Sequence, residues 1–170
     1  IMIRQSVLMD YAGRPTVLKS DRALQDAQRL GRQTAFLSHS HKDRAMAKGV
    51  QAFLQSQGWD VYIDWEDAEM PSKPNRQTAA RIKDKIVQLD WFLFLATQTS
   101  TASRWCPWEI GYADGKKSIE RIIILPTSDG YSTYGNEYLD LYRHIAPSTL
   151  GDIRVYGPDR TSVVLRDMRR

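Results

Sequence analysis

The residues from Ser103 to Ala113, S-R-W-C-P-W-E-I-G-Y-A, hold the side chain best placed to do chemistry. Pro107 belongs in the first turn of a helix, where its missing N–H would have had no intrahelical partner, so a helix starts near Ser103. At about 100° per residue, Cys106, Ile110 and Ala113 share one core-facing stripe. Trp105, Glu109 and Tyr112 form a second stripe roughly 80–100° away. Glu109 then borders the core between two aromatics, near the positive end of a helix, which favours an ionised carboxylate. Such a group presents a charged oxygen to a ligand. Alone, W-x-x-x-E is more often the pattern of a surface glutamate beside a rim aromatic. The neighbouring segments decide between them.

Residues 34–43, T-A-F-L-S-H-S-H-K-D, read as a strand ending at Ser38 and a polar turn into a helix. Ser40 or Asp43 suits the helix as its N-cap. The functional alternative has backbone N–H groups with Ser38, His39 and Ser40 holding phosphate or ribose hydroxyls. His39 and His41 have no further His or Cys cluster beside them, so no metal site is expected. A glycine-rich dinucleotide fingerprint and a phosphate-binding P-loop are both absent, so any nucleotide is held another way. Residues 58–75, G-W-D-V-Y-I-D-W-E-D-A-E-M-P-S-K-P-N, carry Asp64, Glu66, Asp67 and Glu69 around Trp65. Such a stretch is usually a solvated loop, and its length and prolines equally suit a flap or a protein-contact surface.

The elements that must position these residues alternate from residue 34 onward. Strands are expected at 34–38, 59–64, 91–96 and 121–125, the third (WFLFLA) apolar throughout as a buried central strand is. Helices are expected at 43–57, stopped by Gly58, at 76–89 and at 103–116. Residues 127–134 read as a loop, 136–144 as a short helix and 152–156 as an edge strand. This order implies βαβ units. The fold class is α/β, a flavodoxin-like doubly wound parallel sheet of four or five strands. Ligands of such sheets bind beyond the carboxyl ends of the strands, where strand order reverses, which selects the loops 38–43, 64–75 and 97–105. Residues 1–33 read as an N-terminal extension with β-prone pieces at 6–9 and 16–18 and a helix over 21–30 ended by Gly31. The main domain spans 34–157 and a tail follows at 158–170.

The 170 residues suit one domain with a short extension. Net charge is +4, with Lys+Arg 24 against Asp+Glu 20. Much of the excess lies at the two ends (Arg4, Arg14, Lys19, Arg22, Arg29 and Arg32; Arg160, Arg166, Arg169 and Arg170). That dispersal is a solvated surface rather than a nucleic-acid stripe, so no nucleic-acid partner is expected. Cys106 is the single cysteine, which precludes an intrachain disulfide and fits a reducing, cytoplasmic setting. No run approaches the ~18–20 apolar residues that span a bilayer, and residues 1–30 lack a signal-peptide core.

Taken in order, three of these segments resemble Toll/interleukin receptor (TIR) domains. F-L-S-H-S-x-x-D, from Phe36 to Asp43, is similar to the family's first box. G-W-D-V-Y-I-D, from Gly58 to Asp64, is similar to its second strand, which leads into the loop the family uses for self-association. S-x-W-C-x-x-E, ending at Glu109, matches the helix whose glutamate is catalytic in enzymatic members. The resemblance covers about 34–156, and its second-strand loop departs from the family at Trp65-Glu66-Asp67 and P-S-K-P. It implies an NAD glycohydrolase or ADP-ribosyl cyclase of the bacterial kind that acts in antiphage signalling or as an effector. NAD is then substrate, with no further cofactor. Partners would be other TIR domains and a downstream effector that responds to the nucleotide product.

The implied reaction suits these residues. Nicotinamide leaves NAD as an already cationic group, so no general acid is needed. One ionised carboxylate, Glu109, stabilises the oxocarbenium-like ribose and grips its hydroxyls, where ordinary glycosidases need a pair. Trp105 would wall the nicotinamide riboside, with Ser38, His39 and Ser40 facing ribose or diphosphate and Asp64, Trp65 and Tyr112 completing the site. Capture by water gives ADP-ribose; capture by the adenine or a ribose hydroxyl gives a cyclic isomer. Two other readings share these residues: a non-catalytic TIR–TIR interaction module, and a nucleoside hydrolase or transferase on a related fold.

Overall fold

The computed structural model describes residues 1–16, 21–66 and 73–169. The chain begins with β1 (Ile3–Arg4), α1 (Gln5–Tyr11), α2 (Asp21–Arg29), β2 (Gln33–Ser38), α3 (Arg44–Ser56) and β3 (Trp59–Tyr62). It continues with α4 (Arg76–Gln88), β4 (Trp91–Ala96), α5 (Gln98–Thr101), α6 (Trp105–Lys116) and β5 (Ile122–Ser128). The last strands are β6 (Thr133–Tyr134), β7 (Arg143–Pro147), β8 (Ile153–Tyr156) and β9 (Ser162–Val164).

Side-chain alternation along the central strands divides the core into two layers. Ala35, Leu37, Trp91, Leu93, Leu95, Ile123 and Leu125 face one cluster, together with Val50, Phe53 and Leu54 of α3 and Leu8 of α1. Phe36, Phe92, Phe94, Ala96, Ile122 and Ile124 face the other, with Leu24 of α2, Ile82 and Ile86 of α4, and Cys106, Ile110 and Ala113 of α6. Period-two alternation with both faces apolar is what a strand covered by helices on both sides requires. The main sheet runs β3-β2-β4-β5-β7-β8-β9. Its first five strands are parallel, and β8 and β9 add antiparallel. The expected doubly wound parallel sheet is therefore present, extended at one side. Strand order reverses at β2 and β4, so their carboxyl ends, Ser38 and Ala96, flank the crevice.

Several local expectations are corrected. Residues 6–9 belong to helix α1, because the segment docks through Leu8 onto α3 and does not pair as a strand. Of the piece at 16–18, residues 17 and 18 lie outside the described residues. Residues 136–144 form only a 3-10 turn at Asn136–Tyr138 and then enter β7, whose Ile145 and Ala146 are buried. The loop at 127–134 is a hairpin in which β6 pairs with the end of β5. The strand at 152–156 is not an edge, since β9 pairs along its outer side. At the other end of the sheet, Trp59 Nε1 donates to the Leu165 carbonyl (3.3 Å) and Gln33 Nε2 to the Met168 carbonyl (3.3 Å). These bonds seat buried Leu165 and Met168 against the core. Among the described residues no helix is long and apolar enough to cross a membrane.

The N-terminal residues are integrated in the same way. β1 pairs with β5 through Ile3 and Thr127, and Gln5 Nε2 donates to Thr127 Oγ1 (3.0 Å). Helices α1 and α3 meet at Gly49, where an added Cβ would lie 1.9 Å from the Leu8 carbonyl oxygen. Only a residue without a side chain permits that approach. Gly49→Ala is expected to destabilise the protein by about 2–3 kcal/mol through overpacking, although Ala is the better helix former by about 1 kcal/mol. Gly115→Ala, with nothing within 4 Å of its Cβ, is expected to stabilise α6 by about 0.5–1 kcal/mol. Urea unfolding of both variants checks the pair; equal effects would mean that α1 is not docked on α3.

Candidate active site

Glu109 occupies the fifth position of α6, one turn beyond Trp105, on a face turned towards the end of β2. Its side chain is buried, at 5% exposure. Ser38, the last residue of β2 and itself fully buried, donates its Oγ–H to Glu109 Oε2 at 2.5 Å. Burial pushes the Glu109 carboxyl up to about 8; the Ser38 hydrogen bond works against that rise and the nearby charge of Asp64 adds to it. Position near a helix start favours an ionised group, but Glu109 lies past the first turn, where the dipole fades. Desolvation wins, and the expectation of a carboxylate is corrected. In the free protein at neutral pH this carboxyl is mostly protonated.

Cys106, one turn before Ile110, lies beneath this pair. Burial pushes its thiol up to about 11, with the Glu109 charge adding, so it stays protonated and is a core residue rather than a nucleophile.

His39 follows Ser38 and is buried. Its Nδ1 lies 3.1 Å from the Leu37 carbonyl oxygen, and the indole Nε1 of Trp65 lies 3.0 Å from its Nε2. An indole N–H can only donate, so Nε2 accepts and the proton sits on Nδ1. Burial holds the ring below its ordinary pKa, in keeping with a neutral imidazole whose two nitrogens are both engaged. His39 thereby fixes Trp65, which the Arg44 guanidinium covers at 5.3 Å. Ser40 Oγ accepts from the Lys42 N–H (3.3 Å) and caps the 3-10 turn His41–Asp43.

Asp64 and Trp65 stand on a 3-10 turn, Asp64–Glu66, directly after β3. Asp64 Oδ1 accepts from the Trp65 N–H at 2.9 Å and lies 4.0 Å from His39 Nε2. The turn is anchored from below. Glu66 accepts from Lys48 Nζ (2.5 Å) and from Gln51 Nε2 (3.0 Å), and Lys48 also donates to Gln51 and to Thr16. Gln51 further donates to the Val61 carbonyl (3.0 Å). Asp67 and Glu69 of the expected acidic patch lie outside the described residues. Across the crevice, Asp43 Oδ2 accepts from Thr97 Oγ1 (2.5 Å) and Thr99 Oγ1 (2.6 Å), which ties the turn after β2 to the turn after β4.

Ser38, His39, Ser40, Asp64, Trp65 and Glu109 thus gather at the carboxyl ends of β2 and β3. Trp105 is half-buried at the start of α6 and lines a cavity of about 390 Å³ with Ala79, Arg104 and Trp108. Tyr112 is farther along the helix, stacked on Trp108 at 6.1 Å. Sequence reasoning missed Lys48, Gln51, Thr97, Thr99 and Trp108. For Lys48 and Gln51 a signal existed: two polar residues three apart on the apolar side of α3 must be hydrogen-bonded if buried. Among the described residues no group of three or more His, Cys, Asp or Glu side chains is placed to hold a metal ion.

A family model described as TIR domain matches residues 35–149. Over 118 residues the chain is 35% identical to a protein of Bacillus cereus (strain MSX-D12) named "Probable 3' cyclic ADP-D-ribose synthase ThsB'". The match covers 68% of this chain and 61% of that protein, so the chain spans about three fifths of its relative's length.

The raised Glu109 pKa has a consequence for stability. Between the ordinary value of 4.5 and about 8, the folded state holds a proton that the unfolded state releases, so stability falls as pH rises through that window. Glu109→Gln keeps the Ser38 hydrogen bond and removes the titration. Its Tm is expected to match the parent near pH 4.5 and to exceed it by about 4 °C or more at pH 8, one pKa unit being worth about 1.4 kcal/mol. A gap that does not grow with pH, followed by calorimetry, would place the carboxyl pKa in the ordinary range.

Proposed function

The chain belongs to the TIR-domain family, and from that premise we propose that it cleaves the nicotinamide–ribose bond of NAD and closes the remainder into a cyclic ADP-ribose isomer. The observation that carries the proposal is the buried carboxyl of Glu109 held by Ser38 at the switch point of the sheet. The name printed for the Bacillus cereus relative, a 3' cyclic ADP-D-ribose synthase, supports cyclisation by a ribose hydroxyl over capture by water.

In this reading Glu109 is neutral while the site is empty. The ribosyl-pyridinium cation, once bound beside it, favours the ionised form as any close positive charge does, and the proton leaves to solvent. The carboxylate then stabilises the positive charge that moves onto the ribose as the C–N bond breaks. Ser38 Oγ–H holds one carboxylate oxygen and leaves the other for a ribose hydroxyl. Trp65, fixed by His39, and Trp105 exclude water from the developing oxocarbenium. An internal ribose hydroxyl therefore forms the new C–O bond at the anomeric carbon, and its proton passes to the Glu109 carboxylate or to solvent. Asp64 adds negative potential on the side where the pyridinium enters. Self-association through the segment after Glu66 and a signalling role for the product belong to the same proposal, and both rest on family kinship.

Nicotinamide release from NAD, separated chromatographically at high protein concentration, tests this reading. Release is expected for the parent and reduced by ~10²–10³-fold in Glu109→Ala, the loss typical of one charge-stabilising group. Because the active form of the free protein is the ionised one, kcat/KM is expected to rise with pH and level off above about 8. The cation in the complex lowers that pKa, so kcat itself levels off at lower pH. Absence of nicotinamide release at every concentration would favour a purely associative TIR module. A pH-independent kcat/KM would mean that Glu109 is already ionised in the free protein, and full activity in Glu109→Ala would mean that it is not the group that stabilises the ribosyl cation.

A further inference from the structure

The cavity at the start of α6 lies outside the ring of groups that surrounds Glu109. Its volume of about 390 Å³ is within the range of roughly 300–1,000 Å³ typical of small-molecule sites. Ala79 of α4 leaves the space, and Arg104, Trp105 and Trp108 wall it. Trp105 and Trp108 meet edge to face, with ring centres 5.3 Å apart and planes at 88°. Trp108 is 36% exposed and belongs to neither core cluster, so the packing of the fold does not account for an indole at this position.

The surrounding charge is one-sided. Arg104 flanks the cavity, and Lys83 Nζ lies 5.8 Å from the Trp108 ring centre and 5.4 Å from that of Tyr112. Neither cation has a carboxylate partner among the described residues. Glu109 stands one helical turn beyond Trp105 on α6, and Asp64 stands beside His39 on the turn after β3. The cleft therefore carries its carboxyl groups beside β2 and β3 and its cations beside α4.

NAD has the matching polarity. Its pyridinium end is cationic, its middle is a dianionic diphosphate and its far end is a neutral purine. We propose that the cavity between α4 and α6 binds the adenosine end, with the purine laid against the indoles of Trp105 and Trp108 and the phosphates drawn to Arg104. Aromatic faces hold any base by stacking, and a guanidinium suits phosphate oxygens. The same two cations disfavour the pyridinium there, which sorts the dinucleotide into one orientation. Trp105, sharing a helix face with Glu109 at the i, i+4 spacing, is the wall common to both halves. The inference rests on the NAD reading for its ligand, while the cavity and its charge stand apart from it.

The test uses the full chain carrying Glu109→Gln, so that nothing is turned over, with AMP and nicotinamide riboside as separate probes. Indole N–H resonances assigned by single Trp→Phe variants report the site directly. AMP is expected to shift the Trp105 and Trp108 signals saturably, and nicotinamide riboside to leave Trp108 unmoved. Trp108→Ala and Arg104→Glu are each expected to weaken AMP binding about tenfold while the fold is retained, as unfolding curves verify. In the Glu109 background the same two variants are expected to need about tenfold more NAD for half-saturation. Undiminished AMP binding in both variants, or a Trp108 signal that answers to nicotinamide riboside instead, overturns the assignment. A parent that binds AMP at Trp108 yet never releases nicotinamide refutes the NAD-cleavage proposal and leaves the adenosine site standing.

Discussion

A carboxyl group with 5% exposure is costly to ionise, and the hydrogen bond from Ser38 is the described contact that offsets the cost. The two residues are 71 positions apart in sequence, so they meet only if β2 ends at the crevice and α6 lies across that end. Both conditions follow from the doubly wound sheet, whose strand order reverses between β2 and β4. Stability gives way to function at this point. The core would be more comfortable with an amide or an apolar side chain where Glu109 stands, and the protein carries a titratable carboxyl there instead.

Around that pair, each loop of the crevice is tied down separately. Asp43 bridges the turn after β2 to the one after β4. Trp65 is fixed by a histidine whose own tautomer is set by a backbone carbonyl. Glu66 is seated on α3 by Lys48 and Gln51, and through Lys48 the network reaches Thr16 of the N-terminal segment. Preorganised dipoles and fixed walls act on a transition state without reorganising during the reaction, and this scaffold is of that kind. It also links the first sixteen residues to the site mechanically, through α1 against α3 and through the Thr16–Lys48 contact.

Much of the site is legible in the sequence because its signals are local. The apolar run 91–96 coincides with β4, and the stripe Cys106–Ile110–Ala113 is the buried face of α6. What is not legible depends on tertiary context. Residues 143–147 carry only Ile145 and Ala146 as apolar inward positions, too few to stand out from a short helix, and are a strand because β5 and β8 flank them. Val7, in an apolar run with Leu8 and Met9, makes residues 6–9 look β-prone, whereas Gly49 supplies the groove that selects a helix there. The charge state of Glu109 is hidden for the same reason: position along a helix is local, and burial is not. Trp108 attracts no notice in the sequence because an exposed aromatic acquires meaning only when a cavity opens beside it.

The most direct measurement follows the Glu109 carboxyl itself, through the carbon-13 chemical shift of a labelled side chain assigned by comparison with Glu109→Gln. In the free protein at pH 7 a protonated carboxyl is expected, titrating at about 8. On addition of a non-cleavable, pyridinium-bearing NAD analogue at the same pH, the signal should move to that of a carboxylate. A side chain already ionised in the free protein, with a pKa in the ordinary glutamate range, or one that stays protonated with the cation bound, would contradict the role of Glu109 as a charge that appears on binding.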